Sequence, residues 1–298
     1  MTPAELRQEI RAIGDEFSFE VITKCRELYQ PLHDAAEKIP VSVARDEKYG
    51  PDERHRLDVF RSEAKSEQNR PVLIFMHGGG FVAGDKTQPG TFLYDNIATW
   101  AVQNGFIGVN MTYRLAPANP WPAGAEDVAA AVEWVYRHIA DFGGNPGKIF
   151  LMGQSAGAAH VANYIAEPKF HRVEGSGLAA GFLISGIYDL VEAAHDERLT
   201  SYYGTDPGTY VARSSLKGLT ETEVPLLFSL SEFDPYDFQN QAARVTTAFI
   251  KARKTCPRLL FLTNHNHLTS TLQLGIEPDT LGPELKTMMD DISSGVVV

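Results

Sequence analysis

Short apolar runs separated by helical windows constrain this chain more than any other feature. RLDVF (56–60) alternates as a half-buried strand, and PVLIFMH (71–77) and GFIGVNMTY (105–113) read as more fully buried ones. The strand signal returns at KIFLMG (148–153), LAAGFLISG (178–186), VPLLFSLSEFD (224–234) and PRLLFLTNH (257–265). Helical windows fall between them, at 91–103, at 124–140, directly after residue 155 and over about 237–253. Strands alternating with helices predict a mostly parallel sheet covered on both faces, with any site at the carboxyl ends of the strands.

Residues 1 to about 40 precede the first strand signal. Leu6, Ile10, Ile13, Phe17, Val21 and Ile22 recur there at helical spacing, so this stretch is an amphipathic helical appendage. No linker or internal repeat divides the remainder, and 298 residues suit one large α/β unit, taken here as 41–298. Apolar residues at 43% and charged residues at 22% supply a buried core, which argues against a disordered chain. The net charge of -11 argues against nucleic acid or an anionic membrane surface as partner.

Two cysteines, Cys25 and Cys256, are too few for a disulfide framework and are not spaced as a metal knuckle. The N-terminal stretch lacks the apolar core of a signal peptide, and no 18-residue apolar run occurs. The expectation is a cytoplasmic protein with no membrane span. Nothing in the sequence decides between a monomer and a homo-oligomer.

The chemistry concentrates in four stretches. Gly153, Gln154, Ser155, Ala156 and Gly157 form G-x-S-x-G between an apolar strand and a helix of small residues. A nucleophile on a tight strand-to-helix turn needs neighbours without bulky side chains, so that strand and helix can approach and the hydroxyl can project. The same pattern in a chance loop would lack the flanking strand and helix.

MHGGGFVAGD (76–85) follows the strand VLIF, so its loop emerges at the same sheet edge as Ser155. Consecutive glycines Gly78 to Gly80 allow backbone N–H groups to be aimed at a developing oxyanion. The competing readings are a flexible turn and a phosphate loop; the Gly-Lys-Ser/Thr and G-x-G-x-x-G patterns of phosphate sites do not occur here.

A serine hydroxyl also needs a base, most often histidine. His33, His55, His138, His171 and His195 fall in helical windows or polar connections, where solvated or capping roles are expected. His77 braces the glycine loop, and His160, five places after Ser155 on one helix, points elsewhere. His265 and His267 remain, in TNHNHLTS directly after the last strand. They could pair on a metal, but no nearby cysteine or carboxylate completes a ligand set, so no metal is expected.

For the orienting carboxylate, SEFDPYD (231–237) offers Glu232, Asp234 and Asp237 at a strand end. Asp234 is favoured because Pro235 marks a turn, although an Asp-Pro turn needs no catalytic task. The order Ser155, Asp234, His267 is the serine, acid, histidine order of α/β-hydrolases.

On these residues the chain resembles the α/β-hydrolase superfamily, and most closely carboxylesterases related to hormone-sensitive lipase. LDVF (57–60), HGGGF (77–81), YRLAP (113–117), PAGAED (122–127), GQSAG (153–157), DP (234–235) and the HNH segment carry the likeness over about residues 55–270. The resemblance implies a mostly parallel sheet of about eight strands flanked by helices. It further implies that residues 1–40 form an N-terminal helical cap. It implies Ser155 as nucleophile, His267 as base, Asp234 as orienting acid, and the backbone N–H groups of Gly79, Gly80 and Ala156 as oxyanion donors.

Gln154 stands where the family commonly has Asp, and Asn264 and Asn266 flank His265 where a glycine often precedes the histidine. The HNH form looks closer to branches holding feruloyl-esterase-like and arylformamidase-like enzymes. The expected function is therefore a serine carboxylesterase acting on small to medium acyl esters through an acyl-enzyme, without a cofactor. An amide or aryl formamide hydrolase using the same three residues is the alternative chemistry. A ligand-binding protein that kept only the fold is the alternative class. Phe81, Trp121, Tyr202, Tyr203 and Phe233 are candidates to line the substrate pocket, against a reading in which they simply pack.

Overall fold

The computed structural model describes residues 1–37, 39–63 and 68–297. Its strands are β1 Val41–Lys48, β2 Arg56–Ser62, β3 Arg70–Met76, β4 Ile107–Met111, β5 Gly144–Gln154, β6 Ala180–Ile184, β7 Leu226–Phe233 and β8 Arg258–Asn266. They form one eight-stranded sheet in the order β1-β2-β4-β3-β5-β6-β7-β8. β2 pairs antiparallel with both β1 and β4, and every other pairing is parallel. The alternation of strands and helices thus leads to the mostly parallel sheet it predicts. β1 is the strand that the apolar pattern does not announce: VSVARDEK is half-exposed at the sheet edge, with little apolar signal.

The helices are α1 Pro3–Ile13, α2 Phe19–Ala35, α3 Asp95–Gln103, α4 Ala123–His138, α5 Ala156–Ala166, α6 Glu197–Tyr203, α7 Tyr210–Arg213, α8 Leu216–Glu221, α9 Tyr236–Arg253, α10 Thr269–Leu272 and α11 Gly282–Ser293. None among the described residues is long and apolar enough to cross a membrane. Residues on the central strands alternate between two cores, as the two-residue period of a strand requires. Val72, Ile74 and Met76 of β3 pack with α4, α5 and α9 through Val128, Val132, Val161 and Val245. Leu73 and Phe75 face the other way, against Ile97 and Trp100 of α3 and Leu285 and Met288 of α11. Burial on both faces is why these strands read as unbroken apolar runs.

The N-terminal stretch is two helices, each with its own start signal. Thr2 and Glu5 form a reciprocal capping box on α1, and Ser18 caps α2 by accepting from the Val21 N–H at 3.2 Å. α1 docks on the carboxyl ends of β7 and β8, where Arg11 meets Glu232 at 3.1 Å and lies over the Phe233 ring. Two stretches that carry the family likeness also meet. Asp127 of PAGAED accepts from the Arg114 N–H of YRLAP at 2.7 Å, from its Nε at 2.8 Å, and pairs with His55 at 3.0 Å. His55 is therefore a buried partner of Asp127, not the solvated or capping residue expected from its polar surroundings.

Candidate active site

Ser155 joins β5 to α5 with φ 57 and ψ -122, a conformation that a residue with a side chain adopts only under strain. The turn is fixed from both sides. The Ser155 N–H donates to the Ile184 carbonyl of β6 at 2.9 Å, and its own carbonyl accepts from the Ala159 N–H at 3.1 Å. Gly157 is the glycine that the close approach demands, because a Cβ there would overlap the carbonyl oxygen of Met76 at the end of β3. This is the physical content of the small residues around the serine.

The glycine loop leaves β3 beside that turn. A Cβ at Gly78 would stand 3.2 Å from the Cβ of Ser155, so loop and serine are neighbours. Gly79, Gly80 and Phe81 take φ of 127, 59 and 70 in succession. Among the described residues the N–H groups of Gly79 and Gly80 donate to no protein acceptor. His77 lies within the loop's base, its Nδ1 2.6 Å from the Gly78 carbonyl, and the Tyr113 hydroxyl donates to the His77 carbonyl at 3.2 Å. Burial pushes His77 down to about 3, so it braces the loop as a neutral ring.

Asp234 follows β7 and His267 follows β8. The structure brings them together: His267 Nδ1 donates to Asp234 Oδ1 at 2.7 Å, both residues being at most 2% exposed. The second oxygen of Asp234 accepts from Ser185 Oγ at 2.7 Å and from the Ser231 N–H at 2.6 Å. His267 Nε2 is buried without a protein partner. Gln154 Nε2 donates to the His267 carbonyl at 3.0 Å, which ties the histidine loop to the residue preceding Ser155. The glutamine thus has a positioning contact of its own.

The alternative candidates have other partners. His265 Nδ1 lies 3.2 Å from Thr269 Oγ1, and burial lowers this histidine to about 4. Glu232 pairs with Arg11 and accepts from the Asn264 N–H at 2.7 Å. Burial raises Asp237, and the nearby Asp196 raises it further. No group of three His, Cys, Asp or Glu side chains that could hold a metal occurs among the described residues.

The five aromatic candidates separate. Phe81 stacks on Tyr202 at 5.0 Å and meets Tyr203 edge-on at 5.5 Å, in one cluster with Ala156, Ala159 and the half-buried Trp121. Tyr202 and Tyr203 are each 1% exposed, their hydroxyls bound to the Gly124 N–H and to Asn163. Phe233 packs instead with the N-terminal helices. His160 occupies the aromatic cluster too, edge-on to Phe81, Tyr113 and Tyr202, and burial lowers it to about 3.

Two rings that the sequence does not offer as site residues lie against the histidine itself, one of them Phe17, read from its spacing as part of a helical apolar stripe. Phe17, between α1 and α2, meets His267 edge-on at 5.1 Å, and Phe238 of α9 is tilted over it at 4.0 Å. No sequence spacing links residue 17 or 185 to residue 267. Only the register of the folded sheet does.

A serine turn on a central parallel strand, with an acid after the seventh strand and a histidine after the eighth, is the layout of the α/β-hydrolase fold, and the chain has that fold. The comparisons with known proteins fall among esterases. A family model described as BD-FAE matches residues 57–177. Esterase LipQ of Mycobacterium tuberculosis is 30% identical over 240 residues, spanning 74% of this chain and 55% of LipQ. The chain thus spans about half the length of that relative. Among solved structures, esterase B from Lactobacillus rhamnosis superposes with a TM-score of 0.73 at 17% identity, covering 98% of this chain and 96% of the other. An esterase of Pyrobaculum calidifontis gives 0.69 at 20% identity, with both chains fully covered. At such identities these structures speak for the fold.

Proposed function

We propose that this chain is a serine carboxylesterase acting on small to medium acyl esters. The observation that carries the reading is the 2.7 Å bond from His267 to Asp234, made in a loop that Gln154 fastens beside Ser155. An imidazole oriented by a carboxylate next to a serine on a strained turn is a constellation suited to acyl transfer. Ser155 Oγ attacks the ester carbonyl carbon as its proton passes to His267 Nε2. The carbonyl oxygen becomes an oxyanion facing the N–H groups of Gly79, Gly80 and Ala156, each such donor being worth roughly 10² to 10³ in rate.

Collapse of that intermediate breaks the bond to the alcohol, which leaves with the proton held on Nε2. Water then attacks the acyl-enzyme, His267 takes its proton, and the acid departs as the proton returns to Ser155. Asp234 holds the imidazole in the tautomer that leaves Nε2 free to accept. Residues 1–40 act as a cap on the unit 41–298, with Phe17 and Phe238 walling the side from which the alcohol leaves. Both cysteines are free, Cys25 buried and Cys256 exposed, which suits a reducing, cytoplasmic setting.

The test is intact mass after treatment with a fluorophosphonate, on the wild type and on Ser155→Ala, alongside hydrolysis of p-nitrophenyl acetate, butyrate and octanoate. One adduct on the wild type, none on the variant, and turnover falling towards octanoate is the expected result. An unlabelled wild type that turns over none of the three esters would overturn the reading.

A further inference from the structure

Arg198 of α6 lies between the glycine loop and Phe17. Its aliphatic stem rests on the glycine loop: a Cβ at Gly80 would stand 2.8 Å from Arg198 Cδ and 3.5 Å from its Cβ. From there the side chain reaches over the Phe17 ring, with the guanidinium carbon 5.3 Å from the ring centre. Phe17 is the ring set edge-on to His267 at 5.1 Å. The guanidinium carbon therefore stands within about 10 Å of the His267 ring, and in the proposed mechanism His267 hands its proton to the departing alcohol, so groups beside that ring face the leaving group.

One edge of the guanidinium is already fixed. Nε and Nη2 both donate to Asp196 Oδ2, at 3.2 and 3.0 Å, while Asp196 Oδ1 accepts from the Leu199 N–H at 2.8 Å. Nη1 donates to no acceptor among the described residues, and the side chain is 48% exposed. Asp196 thus orients a planar cation without covering its outer edge. An arginine held along one edge keeps a pre-organised pair of N–H donors for a carboxylate at the other, and loses less freedom on binding than an untethered one.

We propose that Arg198 selects esters whose alcohol carries a carboxylate, such as acyl esters of phenolic or hydroxy acids, with Nη1 as the donor and Phe17 as the apolar wall beneath. The inference rests on the esterase reading and gives that site its leaving-group class. A role confined to packing would have Arg198 hold Phe17 and the loop in place, and would serve charged and neutral esters alike.

A matched pair of esters separates the two roles: 4-acetoxybenzoate, anionic, and methyl 4-acetoxybenzoate, neutral. The quantity read is the ratio of their kcat/KM values, which cancels the common acetyl transfer. Arg198→Gln is expected to lower the anionic-to-neutral ratio about three- to tenfold, mostly through KM, and Arg198→Lys to restore part of it. Raising the ionic strength from about 0.01 M to about 1 M is expected to shrink the wild-type ratio and to leave that of Arg198→Gln nearly unchanged. An equal fall for both esters in Arg198→Gln, or a ratio that moves less than about twofold, overturns the inference. A wild type that hydrolyses neither ester overturns the esterase reading itself, a result distinguishable from an unchanged ratio.

Discussion

Asp234 gives each of its carboxylate oxygens a separate partner: Oδ1 accepts the Nδ1–H of His267 at 2.7 Å, while Oδ2 is held by Ser185 and by the Ser231 N–H. The carboxylate is thereby fixed before it fixes the imidazole. Asp234→Asn keeps the shape but permits the opposite tautomer, so kcat for p-nitrophenyl butyrate is expected to fall by roughly 10³ to 10⁴ with an unchanged circular dichroism spectrum. Activity within about tenfold of wild type would remove Asp234 from the mechanism.

Ser185 acts one bond further out. Ser185→Ala removes one hydrogen bond to a buried carboxylate, a loss of about 1.5 to 3 kcal/mol in folding stability. Because the imidazole is held through that carboxylate, kcat should drop about tenfold while KM stays level. Urea unfolding and steady-state kinetics on the same preparation check both parts, and a fall confined to stability would make Ser185 a purely structural partner.

The strained turn at Ser155 predicts opposed effects on activity and stability. Ser155→Gly deletes the proposed nucleophile and relieves a backbone conformation costing of order 1 to 3 kcal/mol, partly offset by the roughly 0.5 to 1 kcal/mol entropic cost of glycine. The variant is expected to be inactive and about 1 kcal/mol more stable than Ser155→Ala, which keeps the strain. Thermal denaturation of the two variants side by side decides it: equal midpoints would mean that the turn stores no strain.

Acid sensitivity follows from three buried histidines. Burial holds His77 and His160 near 3 and His265 near 4, so each stays neutral in the fold and takes a proton once unfolded below pH 6.5. Their contribution to stability is complete above pH 6.5 and is lost as the pH falls towards 4. Asp279, raised by burial to about 6, opposes them by keeping a proton in the fold that the unfolded chain has released. Asp237, also raised by burial, opposes the histidines in the same sense, while His33, lowered by burial, adds to them, so the buried histidines set the direction and stability falls as the pH drops below 6.5. The urea midpoint should fall steeply from about pH 6.5 to about pH 5. A level midpoint would show that these rings are not buried neutral.

What could be read from the chain alone divides along physical lines. β3 and the second half of β5 are buried on both faces, so residues 72–76 and 149–152 are continuous apolar runs, and the turn after β5 needs glycine at residue 157 for a steric reason visible in the motif itself. β1 escapes because its apolar face is short: Val41 and Val43 pack inward, half-buried, and the charged RDEK that completes the strand carries no apolar signal. Asp234 and His267 were legible as candidates because each follows a strand end, where the sheet gathers its functional side chains. Ser185, Phe17 and Phe238 were not, since their roles come from contacts that the folded sheet creates and no local spacing encodes. His160 shows the same limit: its place among Phe81, Tyr113 and Tyr202 depends on three separate segments closing around one helix.

The strand order also sets a timetable for synthesis. β5, carrying Ser155 at its end, lies mid-sheet, and β6, β7 and β8 add outward from it one after another in chain order. As the chain emerges from the ribosome, the serine turn can form about half-way through, whereas the imidazole arrives only with the last strand. A nascent chain that has not yet reached β8, or one that stops before it, therefore carries the serine turn without His267, so the proposed chemistry would have to wait for β8.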